Sequence, residues 1–361
     1  MAEAIKEDIV KILRENENPL SVKEISLLLQ KEKGGSVCPS TVRSSLLHNS
    51  AKDGSCIVRV SRGQYCYGFV GRDDRDVWTW RSQTVVNDDC LHWLREQPPS
   101  SIHAIVTDPP YGVVEYREDQ QAKLRSGRGG VWRQPPSFDG HRRSPLPRFT
   151  TLNGSDKEDI FAFFEALSVE LLRVAVPGAN LIMASNPLVV HIVSSALEKG
   201  GWEPRGQLIR LVQTMRGGDR PKGHEAEYSM VSVMPRSQWE PWIVMRKPLD
   251  GTVARNLVKW GTGGFRRISE DSPFGDVIKS SPTSRKEKQI APHPSLKPQK
   301  LMRDLVSASL PLGRGVLLDP FCGGGSTVAA AEASGITSIG IERDKYYFDL
   351  AADAIPKLAR L

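Results

Sequence analysis

The chain reads IHAIVTDPPYG from Ile102 to Gly112, and this stretch indicates the fold of the longest part of the sequence. The apolar run up to Val106 is typical of a buried strand. The two prolines that follow donate no N–H and fix φ, so they end the strand. Asp108 and Tyr111 therefore lie at the carboxyl end of a central strand, where open α/β sheets bind ligands.

The residue types of this stretch suit a flat ring that carries an amino group. The Asp108 carboxylate and a neighbouring prolyl carbonyl can accept two amine hydrogens, and the Tyr111 ring can stack on the flat ring. The exocyclic amine of a nucleobase fits this description. The alternative is an ordinary strand followed by a proline turn, which is common in loops.

A second stretch reads GVLLDPFCGGGST over residues 315–327 and predicts a strand, a glycine-rich turn and a helix start. Residues 338–342 predict a further short strand that ends in an acid, Glu342. Glycines let the backbone approach a ligand closely, and an acid at the next strand end can bind two ribose hydroxyls. The pattern indicates a nucleoside-binding βαβ unit. It lacks both the dinucleotide fingerprint spacing and a phosphate-loop lysine.

Together the two stretches resemble the amino-methylating DNA methyltransferases that use S-adenosylmethionine. The tetrapeptide Asp108–Tyr111 is similar to the catalytic motif of that family, and residues 319–327 are similar to its cofactor loop, with Gly324 where the family often has serine. HPSLKP at 293–298 and NDDCL at 87–91 resemble two further motifs. The catalytic motif precedes the cofactor motif, which is the order of the beta class.

The resemblance covers about residues 76–361 and implies a Rossmann-like α/β fold with a doubly wound, mostly parallel sheet. It implies that the catalytic residues are Asp108, Pro109, Pro110 and Tyr111. The cofactor-binding residues that it implies are Asp89, Asp108, Lys297, Asp319, Phe321, Cys322, Gly323, Gly325, Ser326, Thr327 and Glu342. Glu342 would hold the ribose and Asp89 the adenine amine of the cofactor. For Asp89, a helix N-cap is the alternative.

The same resemblance implies methyl transfer to the N6 amine of an adenine that is flipped out of duplex DNA. Adenine-N6 members usually have Asp at the first catalytic position, whereas cytosine-N4 members usually have Ser. Direct displacement needs no cysteine nucleophile, so Cys322 receives no such role. Three alternatives are open: a cytosine-N4 enzyme on the same fold, a DNA-binding regulator with an inert methyltransferase domain, and an RNA methyltransferase.

The 361 residues are long enough for several units. Residues 1–71 predict three helices and a hairpin and resemble a winged helix-turn-helix, which contacts either DNA or a protein partner. Residues 72–83 are predicted as a linker and residues 84–361 as the methyltransferase domain. Within that domain, residues 113–150 predict a basic loop, and residues 248–292 lie where the beta class has its target-recognition region.

Basic residues in these segments are candidates for DNA contacts, because they can neutralise phosphates and arginine can also bind guanine. The candidates are Arg43, His48, Arg128, Arg133, Arg142, Arg143, Arg216, Arg266 and Arg267. For the long loop, the alternative is a solvated segment.

The run from Glu227 to Met234 is predicted as a further strand.

Composition agrees with a globular protein that binds a polyanion: 39% of the residues are hydrophobic and the net charge is +7. The five cysteines contain no Cys-x-x-Cys pair, so neither a disulfide framework nor a metal site is predicted. The sequence has no apolar run of membrane length and no signal-peptide pattern, and we expect a cytoplasmic protein with double-stranded DNA as its partner. It leaves open whether the chain forms a homodimer and whether a cognate restriction enzyme accompanies it.

Overall fold

The computed structural model describes residues 2–16, 20–33, 38–50, 57–61, 64–67, 75–110, 154–212, 218 and 220–361. The elements up to residue 67 form a small sheet with helices. The elements from residue 75 onward form a large sheet with helices.

The N-terminal part contains the three helices and the hairpin that the sequence predicts. Its elements are α1 (Ala2–Glu15), β1 (Leu20–Ser21), α2 (Val22–Lys33), α3 (Pro39–Ser50), β2 (Ile57–Ser61) and β3 (Gln64–Tyr67). The strands form an antiparallel sheet in the order β1-β3-β2. Ile9, Ile25, Leu46 and Tyr65 are buried between the helices and this sheet. The winged-helix assignment stays a prediction.

The large part is built around one sheet. Its strands are β4 (Val77–Trp80), β5 (Gln83–Asn87), β6 (Ile102–Thr107), β7 (Ala175–Ala184), β8 (Glu203–Leu211), β9 (Trp239–Arg246), β10 (Val277–Lys279), β11 (Val316–Asp319) and β12 (Thr337–Glu342). Within the described residues their order is β10-β8-β9-β7-β6-β11-β12-β5-β4. Neighbouring strands are parallel, except that β9 is antiparallel to β7 and β8, and β4 to β5. The predicted mostly parallel α/β fold is confirmed.

Helices cover both faces of this sheet. They are α4 (Cys90–Glu96), α5 (Gly154–Val174), α6 (Val190–Lys199), α7 (Val253–Trp260), α8 (Arg285–Ile290), α9 (Gln299–Ser309), α10 (Ser326–Ala333) and α11 (Lys345–Leu358). Side chains of β6 enter the core on both faces: Ile105 packs in one cluster, Ala104 and Val106 in another. This explains why β6 reads as a continuous apolar run. None of the described helices is both long and apolar enough to cross a bilayer.

Two predictions are wrong in this part of the chain. Residues 77–80, inside the predicted linker, form β4 and pair with β5. The rings of Trp78 and Trp80 pack against the cluster that contains Phe348 of α11, and this burial outweighs the polar character of the segment. The predicted strand Glu227–Met234 instead forms turns, and Met230 is 96% exposed. The run has the composition of a strand, but no described strand pairs with it.

Candidate functional site

The two motifs that the sequence singles out lie at the same edge of the sheet. They follow β6 and β11, which are adjacent and parallel, with Leu318 opposite Ile105 in the ladder. The Thr107 hydroxyl donates a hydrogen bond of 2.7 Å to Asp319 Oδ1, and both side chains are buried. This bond joins the predicted catalytic motif to the predicted cofactor loop.

The predicted catalytic acid contacts a lysine. Lys297 Nζ donates a hydrogen bond to Asp108 Oδ2, and the two side chains are 9% and 14% exposed. Burial disfavours the charge of Lys297, but the carboxylates of Asp108 and Glu240 outweigh burial and raise the pKa of Lys297 above its ordinary value. Lys297 is therefore a fixed positive charge beside Asp108. The ammonium of Lys297 faces the catalytic motif, whereas the family resemblance implies that Lys297 binds the cofactor.

The rest of the catalytic tetrapeptide is only partly described. Pro109 is buried and Pro110 is exposed, so the chain leaves the sheet immediately after Asp108. Tyr111 lies outside the described residues, and its predicted stacking role stays a prediction.

The glycine-rich turn after β11 brings the backbone close to neighbouring side chains. Gly323 and Gly325 have φ of +51° and +82°, which disfavours residues with a Cβ. A Cβ on Gly325 would also lie 2.5 Å from Ile355 Cγ1 of α11. The turn therefore depends on glycine for both its conformation and its packing, and the predicted close approach of a ligand stays a prediction.

Asp319 organises this turn from inside the protein. Its Oδ1 accepts hydrogen bonds from the Thr107 hydroxyl and from the Phe321 backbone N–H, at 2.7 and 3.1 Å. Burial raises the pKa of Asp319 to about 6, against opposing hydrogen bonds from Thr327 and Thr107. Asp319 is thus held by neutral donors and gains a proton in mildly acidic solution.

Glu342 ends β12, next to the same turn. Its Oε2 accepts a hydrogen bond from Gly323 N at 2.8 Å, and its Oε1 accepts one from Asp344 N at 2.8 Å. Burial raises the pKa of Glu342. The acid at the second strand end is therefore fixed against the glycine turn, where the sequence places a ribose ligand.

Asp89 is the N-cap of α4. Its Oδ1 accepts hydrogen bonds from the backbone N–H groups of Leu91 and His92 at 3.0 and 3.2 Å. Its side chain is 47% exposed, and its Oδ2 lies 3.9 Å from Arg343 Nη1. The capping alternative is confirmed, and the predicted contact with the cofactor adenine stays a prediction.

The other side chains of the loop serve its packing. Cys322 is buried, and a Cβ on Gly340 would lie 2.7 Å from its Sγ. Burial raises the pKa of Cys322 well above its ordinary value, so the thiol stays protonated. The Ser326 hydroxyl donates to the Lys297 carbonyl at 3.2 Å, and the Phe321 ring lies 6.3 Å from that of Phe163. The loop is thereby tied to the lysine segment.

Three residues at this edge were missed by the sequence reasoning. His293 lies against the glycine turn, 3.1 Å from a Cβ built on Gly323, and burial followed by the charge of Lys297 lowers its pKa to about 4. Glu240 and Arg210 form a buried ion pair, with Oε2 and Nη1 2.9 Å apart. The available signal was weak, because β8 and β9 each contain more than one charged residue and only burial distinguishes Arg210 and Glu240 from the others.

The candidate DNA-binding residues are scattered. Arg43 is exposed on α3, and His48 lies on the same helix. Arg266 and Arg267 are exposed, and the Arg266 guanidinium lies beside Gly313, which precedes β11. Arg266 therefore lies near the amino ends of the parallel strands, whereas Asp108 lies at their carboxyl ends. The remaining candidates, Arg128, Arg133, Arg142, Arg143 and Arg216, lie outside the described residues, as does the predicted loop 113–150.

The predicted target-recognition region 248–292 is divided between the two ends of the sheet: one part lies at the amino ends of the parallel strands and the other at their carboxyl ends. Its first helix, α7, packs at the amino end of β7, where Asn256 Nδ2 donates to Pro177 O at 2.9 Å. Its later part contains β10, which is parallel to β8 and ends at the edge that carries Asp108. Only this later part lies near the candidate site.

Comparisons with known proteins agree with this arrangement. The sequence model of the N6/N4 DNA methylases matches residues 102–353, which include both strand-end motifs. The type II methyltransferase M2.DpnII of Streptococcus pneumoniae is 34% identical over 296 residues, covering 81% of this chain and 96% of the relative. M2.LlaDCHI of Lactococcus lactis subsp. cremoris is 30% identical over the same shares. M.HindIII of Haemophilus influenzae is 24% identical over 297 residues, covering 75% and 94%.

Proposed function

The chain belongs to the N6/N4 DNA methylase family, and from this membership we propose that it methylates the N6 amine of an adenine flipped out of duplex DNA. The observation that carries the proposal is the Thr107–Asp319 hydrogen bond. Through this bond, the carboxylate at the end of β6 and the glycine turn after β11 share one edge of the sheet. A base held by Asp108 and a nucleoside held by the turn would therefore meet there.

The family uses S-adenosyl-L-methionine, and the described residues fit this group. It is a nucleoside that carries a positively charged sulfonium, and three carboxylates, Asp108, Asp319 and Glu342, lie at this edge. Glu342 would hold the ribose hydroxyls, and the turn around Gly323 would approach the ligand closely. When bound, the group supplies an electrophilic methyl.

The chain's own residues orient the target amine. Asp108 and a prolyl carbonyl accept its two hydrogens, which turns the nitrogen lone pair out of conjugation with the ring. Tyr111 stacks on the base, which must leave the duplex because its amine is otherwise stacked and paired. The Lys297 charge keeps Asp108 an acceptor. Because the Cys322 thiol stays protonated, no covalent enzyme–base intermediate is assigned to it. Positioning of two bound reactants supplies most of the rate.

Adenine is favoured over cytosine because Asp108 occupies the first position of the catalytic tetrapeptide, where the cytosine-N4 relatives usually have serine. We also propose that the protein belongs to a restriction-modification pair, which its similarity to type II methyltransferases supports. A cytoplasmic location is proposed on the ground of the proposed DNA substrate.

Mass spectrometry of nucleosides from duplex DNA incubated with the protein and S-adenosyl-L-methionine tests this proposal. We expect N6-methyladenine. Detection of N4-methylcytosine would agree with the proposed mechanism but would contradict adenine as the target base. Methylation of RNA in preference to duplex DNA would overturn the substrate, and absence of any methylated base, together with absence of cofactor binding, would favour an inert regulator.

We further propose that residues 1–71 form a winged-helix-like unit that contacts DNA through α3. The support is the element order helix, strand, helix, helix and hairpin, with Arg43 exposed on α3. Arg43→Ala should weaken DNA binding. It should also reduce the slope of the logarithm of the DNA-binding constant against the logarithm of the salt concentration by about 1, the value for one lost phosphate contact. Unchanged DNA affinity would instead favour a protein-docking role.

A further inference from the structure

Four charged side chains form a continuous chain that ends on Asp108. Arg210 Nη1 lies 2.9 Å from Glu240 Oε2, and Glu240 Oε1 lies 3.4 Å from Lys297 Nζ. Lys297 Nζ in turn contacts Asp108 Oδ2. The signs alternate from β8, through β9 and the segment before α9, to the end of β6. Strands β8 and β9 are thus connected to the predicted catalytic carboxylate.

This row of charged side chains is largely shielded from water. The side chains of Arg210 and Lys297 are 7% and 9% exposed, and that of Glu240 is 16% exposed. Trp242 Nε1 donates a further hydrogen bond to Glu240 Oε2 at 3.3 Å. Buried ion pairs are a poor way to gain stability, because desolvation offsets their attraction and apolar residues of similar size often serve as well. The placement of this one beside Asp108 therefore points to the reaction.

We propose that Glu240 and Arg210 are positioning residues for methyl transfer. Arg210 holds Glu240, and Glu240 holds the Lys297 ammonium so that it keeps the Asp108 carboxylate ionised and oriented toward the amine. The inference rests on the proposed function. It gives a role to two residues that lie outside all four motifs of the sequence, and it places Lys297 on the catalytic acid.

The charges that face Asp108 explain why the lysine needs an acid behind it. Lys297 contacts Asp108 directly, Asp319 adds a like charge from β11, and His293, packed near Lys297, is neutral above about pH 4. Without Lys297, the Asp108 carboxylate would lose its counter-ion and keep the like charge of Asp319 nearby, which favours its protonated form. Without Glu240, the lysine would have Asp108 as its single carboxylate partner among these contacts, would bind it more strongly, and would compete more with the target amine.

The test is the pH dependence of single-turnover methylation of duplex DNA at saturating cofactor, for Lys297→Met, Glu240→Gln and the double variant. Lys297→Met should move the midpoint of the acidic limb up by about one pH unit. Glu240→Gln should leave that midpoint unchanged or lower it, and should reduce the plateau rate about tenfold. The double variant should have a midpoint between those of the single variants, because both charges act on one carboxylate.

Glu203→Gln is the matched control. Glu203 and Arg246 pair across the same two strands, β8 and β9, with Oε2 and Nη2 2.6 Å apart, but at the opposite edge of the sheet. This variant should keep the wild-type profile. Arg210→Lys keeps the charge and should retain more of the plateau rate than Arg210→Gln. That pair decides the question if Lys297→Met does not fold.

Wild-type profiles in all the site variants would overturn the proposal. It would also be overturned if Lys297→Met only weakened binding of S-adenosyl-L-methionine, measured by titration calorimetry, because Lys297 would then act on the cofactor. Equal effects of Glu203→Gln and Glu240→Gln would reduce Glu240 to a structural role. The activity of the wild type is measured first. If it methylates no DNA, the proposed function fails, and this outcome is distinct from a failure of the positioning role.

Discussion

Asp108 and the acids of the glycine turn occupy equivalent places, at the ends of parallel strands, but have opposite surroundings. Asp108 contacts the ammonium of Lys297. Asp319 and Glu342 are instead held by backbone N–H groups and, for Asp319, by two threonine hydroxyls, and burial raises the pKa of both. The strand end proposed to bind the target amine thus has a counter-ion, whereas the strand ends beside the predicted cofactor loop have neutral donors.

This difference in surroundings suits the two tasks proposed for these acids. A carboxylate that accepts hydrogens from an amine must stay ionised, and an adjacent cation ensures this. A carboxylate that fixes a turn needs only hydrogen-bond donors in the right places, and it tolerates partial protonation. The comparison can be broken by changing one acid at a time.

Asp108→Asn should have the largest effect. Asparagine has the same size, but it lacks the charge that pairs with Lys297 and offers one acceptor oxygen instead of two. We expect methyl transfer to fall by about 10³-fold, the scale of losing one well-placed polar group in an active site. Incorporation of labelled methyl groups into duplex DNA measures the rate. A variant with near wild-type rates would remove Asp108 from the reaction.

Asp319→Asn should alter the pH dependence of stability. The pKa of Asp319 rises from its ordinary 3.8 to about 6 in the folded protein. The folded state therefore holds a proton that the unfolded state has released, and stability is lost as pH rises through this window. The asparagine side chain does not titrate, so the variant should gain up to about 3 kcal/mol relative to wild type between about pH 4 and pH 6.

Denaturant unfolding of both proteins across that range measures the difference. The neighbouring Thr107→Val variant removes a hydrogen bond that lowers the pKa of Asp319, so it should extend the window to higher pH while Asp319 itself is kept. A constant difference between Asp319→Asn and wild type at all pH values would contradict a raised pKa at Asp319.

Asp89→Ser should have the smallest effect and separates the two roles of this residue. Serine is as good an N-cap as aspartate, so α4 should lose little stability. A contact of the carboxylate with the cofactor adenine would be lost, and binding of S-adenosyl-L-methionine should weaken only a few-fold, by about 1 kcal/mol. Titration calorimetry and thermal unfolding read the two roles independently. Unchanged cofactor affinity would leave Asp89 as a cap alone.

The sequence predicted the parts of the site that depend on local backbone rules. A buried strand followed by two prolines places Asp108 at a sheet edge, and a glycine turn places Asp319 and Glu342 near one another. The parallel sheet alone predicts that both motifs lie at the same end of the strands, whereas their adjacency comes from the strand order, which places β11 beside β6. The resemblance added the expected chemistry to these positions.

Other features depended on tertiary partners that no local pattern contains. Arg210 and Glu240 meet because β8 and β9 pair in a particular register, so neither residue signals the other along the chain. Trp78 and Trp80 joined the sheet because α11 offers an apolar surface. Glu227–Met234 failed as a strand for the converse reason, since strand composition without a pairing partner does not make a ladder.

The division between the two regions is tested most directly by measuring cofactor binding and methyl transfer at saturating cofactor, for Asp108→Asn beside Glu342→Gln. We expect Asp108→Asn to bind S-adenosyl-L-methionine within a few-fold of the wild type, because two of the three carboxylates and the glycine turn remain, and to transfer almost nothing. Glu342→Gln should bind about 10- to 100-fold more weakly, because a charged acceptor is lost, and should transfer near the wild-type rate once saturated. Normal binding by Glu342→Gln, or equal loss of transfer in both saturated variants, would contradict the division.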